Sequence, residues 1–462
     1  MSANGLELAI EKMRTAGVSE AAIEVFSHYY GQLESGATGM IPEDSIEPLS
    51  EPPMLADVQI DEEQAREAMA ATVIIKLNGG LGTSMGLDKA KNLLQVRDGK
   101  TFLDIIAQQV LQARKTYGVQ LPLLLMNSFR TQDDTLEALA KYPELAVEGL
   151  PLGFVQNQEP KLRADDLTPV EWPADPTLEW CPPGHGDLYT ALLGSGVLDA
   201  LVEKGFRYAS VSNGDNLGAV PDARVAGWFA STGAPYAAEV CRRTVNDRKG
   251  GHLAVRKADG QLVLRESAQT PKEEMDFFTD EHRHPYFNTN NLWLDLVALK
   301  RTLEERRGVL GLPLIRNEKT VDPADSSSPK VIQIESAMGA AIEVFEGATA
   351  ICVGRDRFLP VKTTNELLLL RSDIYQLDEQ GHLVAQAETP AVTLGKQYKL
   401  VRDFEQRIPS PPSLVQATSL SVDGDVTFGS DVTVKGDVQV TSAAPARIDD
   451  GTVLEGAVTL GE

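Results

Sequence analysis

The segment most able to do chemistry is a glycine-rich stretch at residues 77–86, which reads Leu-Asn-Gly-Gly-Leu-Gly-Thr-Ser-Met-Gly. Glycines at this density let backbone N–H groups approach a ligand closely, and turned backbone of this kind binds anions. The stretch lacks the Gly-Lys-Ser/Thr of a Walker loop and the full spacing of a dinucleotide-binding loop. By itself it fits a tight strand-to-helix turn equally well. Lys89 and Lys91 follow within a few residues and supply cations, which favours a phosphate-binding loop.

A second glycine turn, Pro-Pro-Gly-His-Gly-Asp at residues 182–187, places His185 between two glycines. A histidine in this setting is unusual in a core. We therefore expect it to be exposed on flexible backbone, where it can meet a sugar hydroxyl or a phosphate. Asp187 opens a helical stretch, and capping that helix is a sufficient reason for an aspartate at this position.

A carboxylate follows an apolar strand at residues 211–217, which read Val-Ser-Asn-Gly-Asp-Asn-Leu. Ligands of open α/β sheets bind at the carboxyl ends of strands, and Mg²⁺ is commonly held by one or two carboxylates plus phosphate oxygens. An Asn-Gly turn is the simpler explanation of the same residues. The buried strand before the segment and the other motifs favour Asp215 as a magnesium ligand.

Three further segments carry polar groups suited to a sugar or a phosphate. Residues 288–293, Asn-Thr-Asn-Asn-Leu-Trp, place amides before an apolar run; amides bind sugar hydroxyls but also close turns. Residues 242–257 hold a basic island, for which a solvated charged surface is the commoner explanation. Lys362 stands between Val361 and Thr363, close to a proline, and this setting favours a fixed phosphate contact over an ordinary surface lysine.

Strands that alternate with helices must position these segments. Residues 72–77 and 121–126 are apolar runs typical of buried parallel strands, and residues 101–117 carry a helical apolar stripe between them. Such alternation implies right-handed crossovers, so the sequence predicts an α/β fold with a mostly parallel central sheet. Further strand candidates are residues 153–156, 207–212 and 235–240, and a hairpin is predicted at residues 252–265.

The C-terminal tail repeats with a period of six. One series of apolar positions is Leu420, Val426, Val432 and Val438, and the other is Val422, Phe428, Val434 and Val440. Turn residues lie between them, and a hexad of this kind is typical of a parallel β-helix. A fragment of an ordinary β-sandwich is the alternative. We expect the tail to have a structural role, such as contact between subunits.

The composition excludes several classes of function. The chain has 462 residues and a formal net charge of -24, which repels nucleic acids and anionic lipids. No apolar run reaches the length of a membrane span, and the N-terminal residues lack the apolar core of a secretory signal. Three widely spaced cysteines suit a reducing compartment better than a disulfide framework. We therefore expect a cytoplasmic protein of two or three domains without a nucleic-acid or membrane partner.

Seven motifs, in order, resemble the eukaryotic-type UTP–glucose-1-phosphate uridylyltransferase family from about residue 70 to the C-terminus. They are LNGGLGTSMG, PPGHGD, SN-x-DNLG, T-x-x-D-x-KGG, NTNNLW, QIESAMGAAI and FLPVKTT. The family commonly has Cys-Lys-Gly-Pro-Lys-Ser after the glycine loop, whereas residues 87–92 here read Leu-Asp-Lys-Ala-Lys-Asn. Lys91 occupies the position of the second lysine of that pattern, and Asp88 occupies the position of the first. Lys89 therefore has no counterpart in the family pattern.

The resemblance implies a fold and a division of the chain. The expected fold is a Rossmann-like central domain of the nucleotidyltransferase A type with a C-terminal left-handed parallel β-helix. The expected divisions are an N-terminal helical region and linker at residues 1–60, a central nucleotide-sugar transferase domain at 61–365, a connecting region at 366–412 and the β-helix at 413–462.

The resemblance also implies roles for single residues. The nucleotide-binding positions of the family correspond to Leu77, Asn78, Gly79, Gly80, Gln156, Gly184, Asn213 and Asp215. The sugar-phosphate-binding positions correspond to His185, Lys249 and Asn290. Lys91 and Lys362 would act in catalysis by neutralising phosphate charge, and Asp215 would hold Mg²⁺ as the cofactor.

The implied reaction converts UTP and glucose 1-phosphate to UDP-glucose and pyrophosphate by in-line attack of the sugar phosphate on the α-phosphorus. One alternative is a pyrophosphorylase of broader sugar specificity that uses galactose 1-phosphate or N-acetylglucosamine 1-phosphate, although the residue sequence of the glycine loop favours glucose. Another is a non-catalytic nucleotide-sugar sensor, against which the retention of both lysines and Asp215 argues. A homo-oligomer formed through the β-helix is compatible with the sequence.

Overall fold

Helices and strands alternate through much of the chain, as the hydrophobic periodicity predicts. The computed structural model describes residues 4–244, 247–323 and 325–461. The α-helices in these ranges are α1 (Asn4–Thr15), α2 (Glu20–Glu34), α3 (Glu62–Ala70), α4 (Phe102–Tyr117), α5 (Gln132–Leu139), α6 (Leu188–Gly194), α7 (Val197–Glu203), α8 (Ala223–Thr232), α9 (Met275–Phe278), α10 (Leu296–Glu305), α11 (Thr364–Arg371) and α12 (Val401–Arg407).

The strands fall into a central group and a C-terminal group. Those up to the end of the central region are β1 (Ile46–Pro48), β2 (Thr72–Asn78), β3 (Gln95–Arg97), β4 (Lys100–Thr101), β5 (Leu123–Asn127), β6 (Gly153–Val155), β7 (Glu159–Pro160), β8 (Leu162–Arg163), β9 (Trp180–Cys181), β10 (Tyr208–Asn213), β11 (Tyr236–Arg242), β12 (His252–Arg256), β13 (Leu262–Arg265), β14 (Tyr286–Asp295), β15 (Ile315–Thr320), β16 (Lys330–Glu335) and β17 (Thr349–Cys352). The later ones are β18 (Tyr375–Leu377), β19 (Leu383–Ala385), β20 (Ala391–Leu394), β21 (Ser413–Asp423), β22 (Val426–Phe428), β23 (Thr433–Ser442), β24 (Ala446–Ile448) and β25 (Val453–Leu460).

The central sheet is mixed, so the prediction of a mostly parallel sheet is wrong for part of it. The main path runs β1-β12-β14-β10-β2-β5-β6, with β13 beside β12 and with β11 and β17 branching from β14. The pairs β10–β2, β2–β5, β5–β6 and β11–β17 are parallel. β14 is antiparallel to both β10 and β11. β14 follows the β12–β13 hairpin through residues 266–285, and because this segment does not form the crossover of a βαβ unit, β14 enters the sheet antiparallel to both β12 and β10.

Helices cover both faces of the central sheet. Alternate residues of β2 point to opposite sides: Ile74 packs into one buried core with α4 and α8, whereas Val73 and Ile75 pack into a second core with α2 and α6. This arrangement explains why the strand is an apolar run rather than an alternating one. It leaves the carboxyl ends of β2 and β10 as the open edge at which their following loops meet.

The N-terminal segment is part of this fold. α1 and α2 pack on the second core through Met13, Ile23 and Phe26, and β1 extends the central sheet by pairing antiparallel with β12. The predicted N-terminal region is therefore helical in its first part and joins the central sheet in its second. Within the described ranges, no helix has the length and apolar character needed to cross a membrane.

The C-terminal tail consists of parallel strands. β20, β21, β23 and β25 pair side by side in one sheet, and β22 pairs with β24 in another. Leu420 lies opposite Val438, and Val438 lies opposite Gly456, so these parts of β21, β23 and β25 are three hexads apart in sequence. The apolar hexad positions are buried, and they are Leu420, Val422, Val426, Phe428, Val432, Val434, Val438 and Val440. The sixfold period therefore does mark the inward-facing residues of stacked parallel strands.

Candidate nucleotide-sugar site

The loops after β2 and β10 meet at the carboxyl ends of these strands. Leu77 and Asn213 are partners in the parallel ladder, and the Gly214 N–H continues it by donating to the Leu77 carbonyl at 2.9 Å. A Cβ on Gly214 would lie 2.0 Å from Asn92 Nδ2 and 2.7 Å from the Leu77 carbonyl oxygen. Only glycine allows so close an approach, so the variable position of the SN-x-DNLG motif joins the two loops in this chain.

The glycine loop itself bends sharply through two left-handed residues. Gly82 has φ 66° and Gly86 has φ 75°, in the region that side-chain-bearing residues rarely adopt. The Lys91 N–H donates to the Gly80 carbonyl at 3.0 Å, so the loop folds back on its own exit. Space is open where a Cβ of Gly80 would lie. The backbone at Gly80 can thus be approached closely by a ligand, which is the property that the sequence predicted.

Lys91 joins three of the predicted segments. Its Nζ lies 2.6 Å from Asp215 Oδ2 and also donates to the Val361 carbonyl. The Val361 N–H in turn donates to the Asp215 carbonyl at 3.3 Å. Lys362 is therefore attached directly to the residue that Lys91 and Asp215 hold, and its own side chain is exposed. Folding thus places the backbone of Lys362 beside Lys91 and Asp215, although Lys91 is 124 residues before Asp215 and 271 residues before Lys362 in the sequence.

The segment that carries Lys362 is fixed from both ends. On its C-terminal side, the Glu366 carboxylate accepts from the Thr363 N–H at 2.7 Å and forms a capping box for α11. On its N-terminal side, the Leu359 N–H donates to Asn216 Oδ1 at 2.8 Å. The backbone around Lys362 is thus preorganised, which suits a cation that must meet a phosphate at a defined place.

A buried ion pair lies beneath this segment. The Arg357 guanidinium donates to both oxygens of Glu239, at 2.8 and 2.7 Å, and Trp293 Nε1 and Asn291 Nδ2 donate to the same carboxylate at 2.9 and 3.0 Å. Burial disfavours the charge on Glu239, but Arg357 outweighs it and lowers the pKa of this carboxyl. The network ties β11 and β14 to the approach of Lys362. Removing either Arg357 or Glu239 would leave the other as an uncompensated buried charge.

His185 is partly buried and engaged, which corrects the expectation of an exposed histidine on flexible backbone. Its Nδ1 accepts from the Met338 N–H at 2.9 Å, so in the neutral ring the proton is on Nε2. Burial lowers the pKa of His185 to about 4, which keeps the ring neutral near pH 7. The side chain can therefore offer one N–H donor and no charge. Met338 belongs to the QIESAMGAAI motif, so this hydrogen bond joins that motif to the Pro-Pro-Gly-His-Gly-Asp turn.

The backbone around His185 depends on glycine. Gly184 has φ 78°, and a Cβ on it would lie 2.6 Å from the Ser336 carbonyl oxygen. The Gly186 N–H donates to that same oxygen at 2.8 Å, and the Ser336 N–H donates to the Pro183 carbonyl at 3.0 Å. Ser336, which the sequence reasoning did not single out, is thus the support on which the Pro-Pro-Gly-His-Gly-Asp turn rests.

Gln156 lies against the glycine loop. A Cβ on Gly79 would be 2.8 Å from Gln156 Nε2, so the side-chain amide covers this glycine. Asn78 points elsewhere: its Nδ2 donates to Asn127 Oδ1 at 2.6 Å and to Thr135 Oγ1 at 2.7 Å, and the side chain is buried. Any contact of Asn78 with a ligand therefore falls to its backbone, whereas Gln156 offers a side chain.

Asn290 sits on a bulge. Where β14 pairs with β11, Glu239 is opposite Asn291 and Val240 is opposite Asn288, which leaves two extra residues on β14. Asn290 has φ 59°, a left-handed conformation, and its Oδ1 accepts from Asn288 Nδ2 at 2.9 Å. Bulges re-aim side chains next to functional sites. The interruption therefore turns the Asn290 amide out of the regular strand pattern.

Lys249 lies near the same bulge. It is exposed, and two residues later the Gly251 carbonyl accepts from the Asn288 N–H at 2.8 Å. A Cβ on Gly251 would be 2.6 Å from the Glu266 carboxylate, which brings a second acceptor to this side of the site. Burial raises the pKa of Glu266, and Lys362 is the first of two cations that oppose the rise. Glu266 is thus a site residue that the sequence reasoning missed.

Lys76 is a second missed residue. It is 1% exposed, and its Nζ donates to Ser212 Oγ at 2.8 Å and to the Ala219 carbonyl at 2.7 Å. Burial lowers the pKa of Lys76 to about 7, and Asp215 is one of the carboxylates that oppose this. The lysine supports the loop after β10 from below. A charged residue inside an apolar strand was the feature of the sequence that could have revealed it.

Asp215 is the candidate metal ligand of the site. Across the described ranges, no group of three or more His, Cys, Asp and Glu side chains is arranged to hold a metal ion. A single carboxylate beside a phosphate-binding loop still fits Mg²⁺, because this ion keeps several waters and takes substrate phosphate oxygens as ligands. The donor set is therefore compatible with a magnesium ion that arrives with a nucleotide.

Comparison with known proteins gives a consistent result. The family model described as UTP--glucose-1-phosphate uridylyltransferase matches residues 23–435. The protein of that name from Solanum tuberosum is 40% identical over 423 residues, which are 90% of this chain and 84% of the relative. The one from Saccharomyces cerevisiae is 42% identical over 400 residues, covering 85% of this chain and 79% of the relative.

Solved structures agree over the whole length. A crystal structure of a variant UDP-glucose pyrophosphorylase from Leishmania major in complex with UDP-glucose is 44% identical, with a TM-score of 0.93 and full coverage of both chains. The structure of a UDP-glucose phosphorylase from Trypanosoma brucei is also 44% identical, with a TM-score of 0.91, covering 99% of this chain and 100% of that one.

Proposed function

The chain belongs to the UTP–glucose-1-phosphate uridylyltransferase family, and from this membership we propose that it converts UTP and glucose 1-phosphate to UDP-glucose and pyrophosphate. The observation that carries the proposal is the convergence at Lys91. One ammonium contacts the carboxylate of Asp215 and the carbonyl of Val361, beside the glycine loop and next to Lys362. This is a phosphate-binding site with two cations and one carboxylate.

The proposed mechanism is in-line displacement at the α-phosphorus of UTP. A phosphate oxygen of glucose 1-phosphate forms the new P–O bond while the bond to the β-phosphate oxygen breaks, and pyrophosphate leaves. The nucleophile is already anionic, so no strong general base is needed. Catalysis then depends on positioning and on neutralising charge, which are the roles proposed for Lys91 and Lys362.

Magnesium is part of the proposal. When bound, Mg²⁺ would supply positive charge at the phosphates of the nucleotide, with Asp215 as its ligand from the protein. The neighbouring ammonium of Lys91 is in hydrogen-bond contact with that carboxylate. We propose that the two cations share the charge of the triphosphate.

The other site residues are divided between a nucleotide side and a sugar-phosphate side. We propose that the nucleotide side is formed by Leu77, Asn78, Gly79, Gly80, Gln156, Gly184, Asn213 and Asp215. We propose that the sugar-phosphate side is formed by His185, Lys249 and Asn290. The Nε2–H of His185 can donate to a phosphate or hydroxyl oxygen, since Nδ1 is occupied by Met338. The amide of Asn290 is supported by its left-handed backbone.

Three features of the whole chain complete the proposal. The spacing of three hexads between paired strands supports a left-handed parallel β-helix at residues 413–462, and its exposed final strand offers a surface for a homo-oligomer. The divisions at residues 60, 365 and 412 remain those expected from the sequence. Cys181, Cys241 and Cys352 are buried and free, which supports a cytoplasmic location.

The test is pyrophosphate release from UTP with a panel of sugar 1-phosphates. We expect magnesium-dependent release with glucose 1-phosphate, and a much lower kcat/KM with galactose 1-phosphate and N-acetylglucosamine 1-phosphate. Equal rates with all three sugars would replace the proposal with a pyrophosphorylase of broader sugar specificity. Binding of UDP-glucose without any pyrophosphate release would instead indicate a non-catalytic sensor.

A further inference from the structure

Asp187 stands at the start of a helix, but its carboxylate does not cap that helix. The residue is 5% exposed and directly precedes α6, yet its side chain makes no capping hydrogen bond to that helix. The interpretation of Asp187 as a helix cap is therefore wrong. The carboxylate points instead toward the loop that follows β6.

Both carboxylate oxygens are used by a single residue of that loop. Oδ2 accepts from the Asn157 backbone N–H at 2.5 Å, and Oδ1 accepts from Asn157 Nδ2 at 2.8 Å. Burial raises the pKa of Asp187 to about 7, and the two contacts with Asn157 oppose that rise. A buried carboxylate is costly for a protein to keep, so a purely packing role would be served better by an apolar side chain.

The two residues join segments with different proposed tasks. Asn157 directly follows Gln156, whose amide covers Gly79 of the glycine loop. Asp187 follows His185 by two residues, and His185 is itself fixed by the Met338 N–H. A third contact, from Ser19 Oγ to Asn157 Oδ1 at 3.4 Å, holds the far side of Asn157. The Asp187–Asn157 pair is thus a direct polar connection between the Gln156 loop and the His185 turn.

We propose that Asp187 is a positioning residue that sets Gln156 for uridine through its two-point contact with Asn157. The inference rests on the proposed function, because it takes Gln156 as a uridine contact. Asp187 touches neither Lys91 nor Lys362, so its effect belongs to the binding of UTP and not to the chemical step. Loss of the contact is expected to raise the KM for UTP and leave kcat nearly unchanged.

The test replaces the carboxylate at residue 187 by an amide, first alone and then together with the reverse change at residue 157. In Asp187→Asn, the charged acceptor becomes a neutral amide, and the Asn157 amide must turn over to keep the side-chain contact, so two charge-assisted hydrogen bonds are replaced by weaker neutral ones. We expect the KM for UTP to rise about tenfold, consistent with the replacement of two hydrogen bonds to a charged group by weaker ones, with kcat within about threefold of the parent. The double variant Asp187→Asn with Asn157→Asp restores both contacts, because the new amide accepts from the backbone N–H and donates to the new carboxylate. We expect it to return the KM for UTP to within about threefold of the parent value.

A matched control separates positioning from general destabilisation. Asp295 is 7% exposed and accepts from the Val297 and Ala298 N–H groups at 3.0 Å as the cap of α10. Asp295→Asn makes the same chemical change away from the uridine side, and it should lower the melting temperature without raising the KM for UTP. If Asp187→Asn does not fold, Asn157→Ala removes the side-chain half of the contact from the more accessible partner, and a smaller rise in the KM for UTP is expected.

Equilibrium binding of UTP, measured by calorimetry without sugar phosphate, gives a readout that does not depend on turnover. Failure of the parent protein to bind UTP or to release pyrophosphate would remove the proposed function itself. With an active parent, the positioning role would be overturned by a folded Asp187→Asn variant that loses kcat at constant KM. It would equally be overturned by a folded double variant whose UTP affinity stays as low as that of the single variant.

Discussion

At the scale of single residues, the two lysines of the site differ in how they are held. Lys91 is 17% exposed at its side chain and is paired with Asp215, so it is part of the preformed structure. Lys362 has an exposed side chain on a fixed backbone, and within the described part of the chain it forms no ion pair within 4 Å. One cation is therefore built in, and the other is free to meet the substrate.

The first prediction concerns Lys362→Ala. Because the side chain is exposed, its loss should change the free energy of unfolding by no more than about 0.5 kcal/mol. Turnover should fall by about 100-fold or more, as for the removal of one preorganised group that stabilises developing charge. Steady-state pyrophosphate release and thermal melting measure the two effects. Lys399→Ala, at another exposed lysine, is the control, and near-normal turnover in Lys362→Ala would remove Lys362 from the mechanism.

The second prediction concerns the charge of His185. With a pKa of about 4 the ring stays neutral above pH 5.5, so its contribution should not vary with pH in that range. His185→Gln keeps a donor, but its amide oxygen does not take the position of Nδ1 beside Met338, and kcat/KM for glucose 1-phosphate should fall about tenfold. The ratio of variant to parent kcat/KM should be constant from pH 5.5 to 8, since titration of the substrate cancels in the ratio. A ratio that changes markedly below pH 7 would show that His185 titrates there.

At the scale of elements, the bulge in β14 gives this strand a residue, Asn290, whose side chain departs from the regular strand pattern and is proposed to bind substrate. Asn290 adopts φ 59°, which costs a side chain with a branched Cβ far more than it costs glycine or asparagine. The third prediction is that Asn290→Gly keeps the free energy of unfolding within about 1 kcal/mol of the parent but raises the KM for glucose 1-phosphate. Asn290→Val should lose about 1–3 kcal/mol of stability as well.

The control for the bulge is the neighbouring regular part of the same strand. Leu294 is fully buried and lies opposite Tyr236 in an unbroken stretch of the β11–β14 ladder. Leu294→Val should lower stability without affecting the KM for glucose 1-phosphate. If chemical denaturation shows Asn290→Gly and Asn290→Val to be equally stable, the left-handed conformation carries no strain and the bulge argument fails.

The elements also show which parts of the fold the sequence could predict. β2, α4 and β10 were predicted because each has an apolar pattern of its own, and the sixfold repeat identified the buried residues of the tail in the same way. The antiparallel course of β14 was not predictable, because it depends on which strand accepts it as a neighbour. The Glu239–Arg357 pair was missed because its partners are 118 residues apart, although Glu239, like Lys76, is a charged residue inside an apolar strand.

The residues of the candidate site also fall into those that the sequence could predict and those that it could not. Lys91, Asp215 and Lys362 were found because glycines, amides or a proline surround them in recognisable motifs. The supporting residues Ser336, Glu266 and Lys76 were missed, because their partners in the His185 turn, at Gly251 and in the loop after β10 are brought to them only by folding. The error on His185 has the same origin: glycine neighbours suggested exposure, whereas Met338 from a distant motif covers the ring.

At the scale of the whole molecule, the N-terminal segment is connected to the sugar-phosphate side by a buried polar cluster. His252 directly follows Gly251 and is stacked on His284, with ring centroids 3.8 Å apart. Glu43 accepts from His284 Nε2 at 3.0 Å and is also paired with the buried Arg265. Neither ring nitrogen of His252 has a hydrogen-bond partner among the described residues. A change in the charge of this cluster is therefore expected to affect the stability of the fold.

The fourth prediction is a pH-dependent stability difference for His252→Phe. Burial, then His284, Arg243 and Arg265, hold the pKa of His252 well below 6.5, whereas the unfolded chain has an ordinary histidine. The unfolded state thus binds a proton that the folded state does not, and the parent loses stability as the pH falls below about 6.5. The variant has no imidazole at residue 252 to be protonated on unfolding. Its free energy of unfolding should therefore gain up to about 2 kcal/mol relative to that of the parent between pH 7 and pH 5.

Urea denaturation at both pH values measures this difference in the free energy of unfolding, with His28→Phe, at an exposed histidine, as the control. Parallel stability curves for the parent and His252→Phe would mean that the buried imidazole is protonated in the folded protein as readily as in the unfolded chain.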